Sequence, residues 1–113
     1  MKRIYLLLLA NSLFAGAVLH AQNPIITGQF SADPTAKVFD GKVYLYPSHD
    51  IHFSENPSNR PDWFCMADYH CFVSSNLTEW TDCGKILDQV DVPWGNPTGF
   101  SMWAPDCVKG KDG

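Results

Sequence analysis

An Asp-Gly pair at positions 40 and 41 separates two short runs of strand-forming residues, 35–39 and 42–46. Asp-Gly readily adopts the positive φ values that a tight hairpin turn requires, so the pair is the strongest antiparallel signal in the chain. Alternation puts Ala36 and Val38 on one face of the first run. In the second it sets Val43 and Leu45 against Tyr44 and Tyr46. Asp33-Pro34 comes just before this ribbon. Proline fixes its own φ and biases the residue before it toward extended backbone. Asp33 is therefore expected in an extended conformation, delivered by a loop over 27–32 and held still by the strands behind it.

Pro47 is expected to end the second strand, because a proline cannot donate to a sheet ladder. A polar loop over 48–62 should follow, carrying His49, Asp50 and His52. A His-Asp-x-His run can bind metal. Such residues more often line a polar loop, and the sequence alone assigns no metal ligand. Residues 63–74 are densely apolar and read as a central third strand. Asp68 and His70 interrupt it on the face that also carries Met66 and Phe72, and a polar pair in such a strand needs partners or a nearby site. A turn over 75–80, anchored by Leu77 and Trp80, leads to a fourth strand over 81–87. A loop over 88–101 completes the unit.

The stretch from Trp103 to the end then resembles the opening stretch. Pro34 and Pro105 stand 71 residues apart, each placed before a short strand and an Asp-Gly turn. Four strands per weak repeat is the pattern of propeller blades. The expected fold is all-β: the first blade and the start of the second blade of a β-propeller. The second Asp-Gly, at 112–113, has no return strand after it, so the sequence is expected to be an N-terminal piece of a longer chain. One blade alone is a poor domain, because neighbouring blades normally bury its faces.

Residues 1–21 read as a secretory signal peptide: a basic start at Lys2-Arg3, an apolar run broken by Asn11 and Ser12, and small Ala21 at the cleavage position. Secretion or delivery to the periplasm is expected. Removing Lys2 and Arg3 leaves six basic against twelve acidic residues over 22–113, a formal charge of −6. That balance argues against nucleic acid, and against a membrane partner after cleavage. Trp63, Trp80, Trp94 and Trp103 are a heavy load for so short a chain, and indole both packs cores and stacks on sugar rings. Four cysteines, Cys65, Cys71, Cys83 and Cys107, allow three full pairings. A straight strand would hold the Cα atoms of Cys65 and Cys71 about 20 Å apart, against about 5.5 Å in a disulfide, which disfavours that pair. Buried free thiols are an equally good reading.

The residues resemble the glycoside hydrolase family 43 enzymes. The resemblance rests on Ala32-Asp33-Pro34-Thr35, on Gly41-Lys42-Val43-Tyr44-Leu45-Tyr46, on the run from Val73 through Asn76-Leu77-Thr78-Glu79-Trp80 to Gly84, and on Trp103-Ala104-Pro105-Asp106, in that order across nearly all of 22–113. It implies a five-bladed propeller and an inverting glycosidase, commonly an arabinofuranosidase, β-xylosidase or arabinanase, acting on oligo- or polysaccharide. It implies Asp33 as the general base, Trp103 bordering the sugar site, and Phe30 and Phe100 as further wall candidates. The general acid, a Glu, and a second, orienting Asp are implied in later blades, so this piece alone is expected to be inactive. No cofactor is indicated, and a metal at the propeller centre is left open. Two other readings compete. One is a non-catalytic, sugar-binding propeller. The other is an invertase-like retaining glycosidase, whose first-blade acid is a nucleophile; those commonly carry Asn before the Asp-Pro, where this chain has Ala32.

Overall fold

The computed structural model describes residues 24–58, 60 and 62–111. The expected signal peptide and the Asp-Gly pair at 112–113 lie outside the described residues. Four strands form one antiparallel sheet in the order β1-β2-β3-β4: β1 is Phe30–Phe39, β2 Lys42–Asp50, β3 Met66–Ser74 and β4 Thr81–Asp88. Two short 3-10 turns, Phe53–Glu55 and Gln89–Asp91, lie in the connections. This up-and-down sheet is the unit from which propellers are built. No helix among the described residues is long and apolar enough to cross a membrane.

The turns are built as their residues dictate. Asp40 and Gly41 both take positive φ, 49° and 75°, and close β1 onto β2. Between β3 and β4 the Ser74 hydroxyl accepts from the Leu77 amide at 2.8 Å, and the Asn76 side-chain carbonyl accepts from the amides of Thr78 at 3.0 Å and Glu79 at 2.9 Å. These short polar side chains replace the backbone partners that a tight turn removes. The Trp80 indole N–H donates to the Leu77 carbonyl at 3.3 Å, which makes Trp80 an anchor of the turn.

Several expectations need correction. The segment read as a loop over 27–32 contributes Phe30, Ser31 and Ala32 to β1. Pro47 does not end β2, which runs on to Asp50, so the polar loop begins only at Ile51. The reason lies in the pairing. Ala32 faces Ser48 and Thr35 faces Tyr46, which leaves two residues, Asp33 and Pro34, opposite Pro47. A bulge on one strand meets a proline on the other, so neither proline is asked for a ladder N–H. On the other side of β2 the regular pairs skip from Leu45–Phe72 to Ser48–Tyr69. Asp33 itself has φ 47° and is not extended. Bulge geometry outweighs the preference set by the following proline. Strand β3 starts at Met66, three residues later than expected. Among the described residues no strand follows Pro105; the segment instead makes one parallel bridge, Ser101 to Met66.

The buried centre is small: Tyr46, Cys65, Met66, Cys71 and Phe72, with Pro47 and Ser48 also enclosed. All four cysteines are free thiols. Burial pushes the Cys71 thiol up to about 11, with Cys83 adding to the effect, so this side chain packs as a neutral group. Val38, Ile86 and Val90 stay exposed. Val38 and Ile86 on the outer strands, and Val90 in the turn after β4, are apolar residues that a neighbouring blade would cover.

Candidate active site

The bulge turns Asp33 out of the β1–β2 ladder. A non-glycine residue at φ 47° costs on the order of 1 kcal/mol, and aspartate is among the side chains that accept it best. Ser48 holds the bulge from below. It is fully buried, and its hydroxyl donates to the Ala32 carbonyl at 2.9 Å, one residue before Asp33. The Asp33 carboxylate is exposed and lines a depression of about 280 Å³ with Ala32, Trp63, Phe64, Met66 and Trp103. Asp33 is the one carboxylate among those lining residues.

Trp103 arrives from the far end of the described chain and is fixed by backbone. The Met66 amide donates to the Phe100 carbonyl at 3.1 Å, and the Met102 amide donates to the Met66 carbonyl at 2.9 Å. The Tyr69 hydroxyl donates to the Trp103 carbonyl at 3.1 Å. Burial pushes the Tyr69 phenol above its usual range, so that donor proton stays in place. Further along, Asp106 accepts from Lys37 Nζ at 2.8 Å and from the Thr35 hydroxyl at 3.1 Å, which clasps the segment to β1. The Lys37 ammonium, followed by the Cys107 amide, holds the Asp106 carboxyl below the usual carboxylate range.

The aromatic wall is wider than the sequence suggested. Trp63 stands 6.3 Å from Trp103 and 5.8 Å from Phe64, centroid to centroid, and the Arg60 guanidinium lies 4.4 Å over the Trp63 ring. Phe30 lines a second depression of about 430 Å³ with Asp50, Ile51, His52, Asn56, Asp62, Trp63 and Phe64. The two hollows share Trp63 and Phe64. Phe100 lines neither; its amide donates to Gln89 Oε1 at 2.9 Å, and its main chain, at φ 49°, steers Trp103. Sequence reasoning missed Trp63 as wall and Ser48 as support. The Trp63-Phe64 pair just ahead of β3 was a usable signal. Ser48 gives none, because a lone serine after Pro47 carries no local signal of burial.

The His49, Asp50 and His52 run splits three ways. His49 Nδ1 is 2.8 Å from Asp68 Oδ1, Asp50 Oδ1 accepts from the Cys65 amide at 3.0 Å, and the His52 ring stacks on Phe30 at 5.5 Å with Nδ1 2.7 Å from the Ser54 hydroxyl.

An exposed carboxylate thus lines an aromatic-walled hollow on a four-stranded antiparallel sheet. The profile of the glycosyl hydrolases family 43 matches residues 21–113, and the chain belongs to that family. Among curated relatives, the xylosidase/arabinosidase 43A of Humicola insolens is 43% identical over 93 residues, covering 80% of this chain and 27% of that protein. The β-xylosidase of Xylanibacter ruminicola is 39% identical over 92 residues, covering 79% and 28%. The chain thus spans a little over a quarter of the length of these relatives. Among solved structures, the GH43_1 enzyme from Xanthomonas citri complexed with xylotriose superposes with a TM-score of 0.61 at 39% identity, covering 76% of this chain and 23% of that one. The β-xylosidase/α-arabinofuranosidase from a compost microbial metagenome, in complex with xylotriose and calcium-free, gives 0.62 at 42% identity, covering 78% and 26%. The solved family members are β-propellers.

Proposed function

We propose that this chain is the base-bearing first blade of an inverting glycosidase that releases xylose or arabinose from plant polysaccharides and their oligosaccharides. The observation that carries the reading is the placement of Asp33, the one carboxylate in a hollow walled by Trp63, Phe64 and Trp103. Aromatic faces suit the apolar faces of a sugar ring. The relatives named for xylosidase and arabinosidase activity support a pentose.

In this mechanism Asp33 accepts a proton from water while the water oxygen attacks the anomeric carbon. The glycosidic bond breaks on the opposite side, and the leaving oxygen takes a proton from an acid. Inversion requires the two carboxyl groups to stand about 6.5–9.5 Å apart, leaving room for the water. The acid and the orienting aspartate belong to later blades, so residues 1–113 alone do not turn over glycosides. Trp103, Trp63 and Phe30 border the sugar. Export after loss of residues 1–21 puts the enzyme where such substrates are found.

The test uses the full-length gene product with aryl xylosides and arabinofuranosides, reading the anomer of the first-formed sugar by NMR. Inverted product, lost in Asp33→Asn, is expected. Retained product would point to the invertase-like mechanism. Xylotriose binding without turnover would make the protein a binding propeller. Turnover by residues 1–113 alone, abolished in Asp33→Asn, would refute the incomplete-site reading. N-terminal sequencing of the exported protein should begin at Gln22.

A further inference from the structure

Away from the Asp33 hollow, β2 and β3 bring together a second group of side chains. His49 on β2 stands directly across the ladder from Asp68 on β3, and His70 follows two residues later on β3. None of the three lines the Asp33 hollow or its neighbour. Their ligand atoms lie within 4.8 Å of one another, the one such His/Cys/Asp/Glu group among the described residues.

A single oxygen is the focus of the cluster. Asp68 Oδ1 is 2.8 Å from His49 Nδ1 and 3.6 Å from His70 Nε2. The first distance is a hydrogen bond and the second is too long for one. The two imidazoles lie 4.8 Å apart, centroid to centroid. The far nitrogen of His70, Nδ1, is buried and has no hydrogen-bond partner among the described residues. Asp82 Oδ1 on β4 stands 3.9 Å from it, beyond hydrogen-bond range. A purely hydrogen-bonded role would satisfy His49 and leave His70 Nδ1 buried without a partner among the described residues.

We propose that His49, Asp68 and His70 form a site for one divalent transition-metal ion of the zinc class, which ties β2 to β3. Two imidazoles and one carboxylate, with a further position for water, match the donor preference of zinc-like ions and not the all-oxygen preference of calcium. With bonds of about 2.0–2.1 Å, tetrahedral ligand atoms stand roughly 3.3 Å apart. The observed 2.8 and 3.6 Å fall on either side of that spacing, and the third edge, between the two imidazole nitrogens, lies within 4.8 Å, so binding draws the two rings together. Ligation through His70 Nε2 leaves its proton on Nδ1, pointing toward Asp82, and a carboxylate behind a ligating histidine is the usual second layer of such a site. His49, bound through Nδ1, carries its proton on Nε2.

The experiment uses the full-length protein, stripped with chelator and titrated with Co²⁺ and then Zn²⁺. One equivalent of Co²⁺ with visible d–d bands is expected, displaced by Zn²⁺ and not by Ca²⁺. Asp68→Asn and His70→Gln should weaken Co²⁺ binding about 10-fold or more. His49→Gln, at the most accessible ligand, keeps the test open if the other two variants fail to fold. In the unaltered protein, Zn²⁺ should shift the ring resonances of His49 and His70. Binding of less than a tenth of an equivalent, ring resonances that do not move, a Co²⁺ spectrum identical in folded ligand variants, or displacement by Ca²⁺ would each overturn the proposal.

Discussion

Asp33 and Asp68 are two aspartates of one sheet put to opposite uses. Asp68 sits within β3 with 14% of its side chain exposed, held between two imidazoles. Asp33 sits on a bulge with its carboxylate exposed beside four large apolar side chains. A regular ladder forces a carboxylate to face its cross-strand neighbours. A bulge frees it from them. The contrast shows why the carboxylate on the strained position is open to solvent and the one on the relaxed position is largely enclosed.

The largest effect that would break this contrast is on turnover. Asp33→Asn in the full-length enzyme should lower kcat about 10²–10⁴-fold with little change in folding, since removing a general base removes a transition-state contact. Asp68→Asn should do the reverse, keeping most activity in molecules that fold and costing roughly 1–3 kcal/mol of stability through the weakened charge-assisted contact with His49. Urea denaturation beside steady-state kinetics reads both. If the two variants exchange phenotypes, the assignment of roles is wrong. Next in size, Trp103→Ala should raise KM about 10-fold for a short xyloside with a smaller change in kcat, as expected of a binding wall.

Smaller still, Asp33→Gly should stabilise the fold by on the order of 1 kcal/mol while removing activity, because glycine takes positive φ without the side-chain clash. A destabilised Asp33→Gly protein would mean that the bulge is not strained. The smallest effect concerns the Asp106 clasp. Lys37 and the Cys107 amide depress the Asp106 pKa in the folded protein, so the clasp contributes stability above the ordinary value of 3.8 and loses it as pH falls from there through the depressed pKa. Lys37→Met should return the Asp106 titration, followed by carbon-detected NMR, toward 3.8.

The four strands were legible because alternation and turn residues are local. Asp40-Gly41, the Ser74–Asn76 turn and the apolar run through Phe72 each state their conformation within a few residues. The failures were all non-local. Pro47 reads as a strand terminator until the bulge opposite it is known, and that bulge depends on which residue of β1 faces it. Asp33 was recognised as the candidate base, yet its backbone was misjudged for the same reason. His49 was assigned to a loop with Asp50 and His52. Strand pairing instead sets it across from Asp68, a residue 19 positions later. Trp63 stands before β3 and joins the wall only through a segment that returns from Ser101.

That return has a kinetic consequence. The three hairpins close over short spans, whereas the Ser101–Met66 bridge and the Lys37–Asp106 clasp close over 35 and 69 positions. Loop closure of that length is entropically costly before it is rewarded. The aromatic wall should therefore assemble after the strands that carry the carboxylate. In native-state hydrogen exchange the Met102 amide should open at lower free energy than amides in the middle of β3, such as that of Phe72.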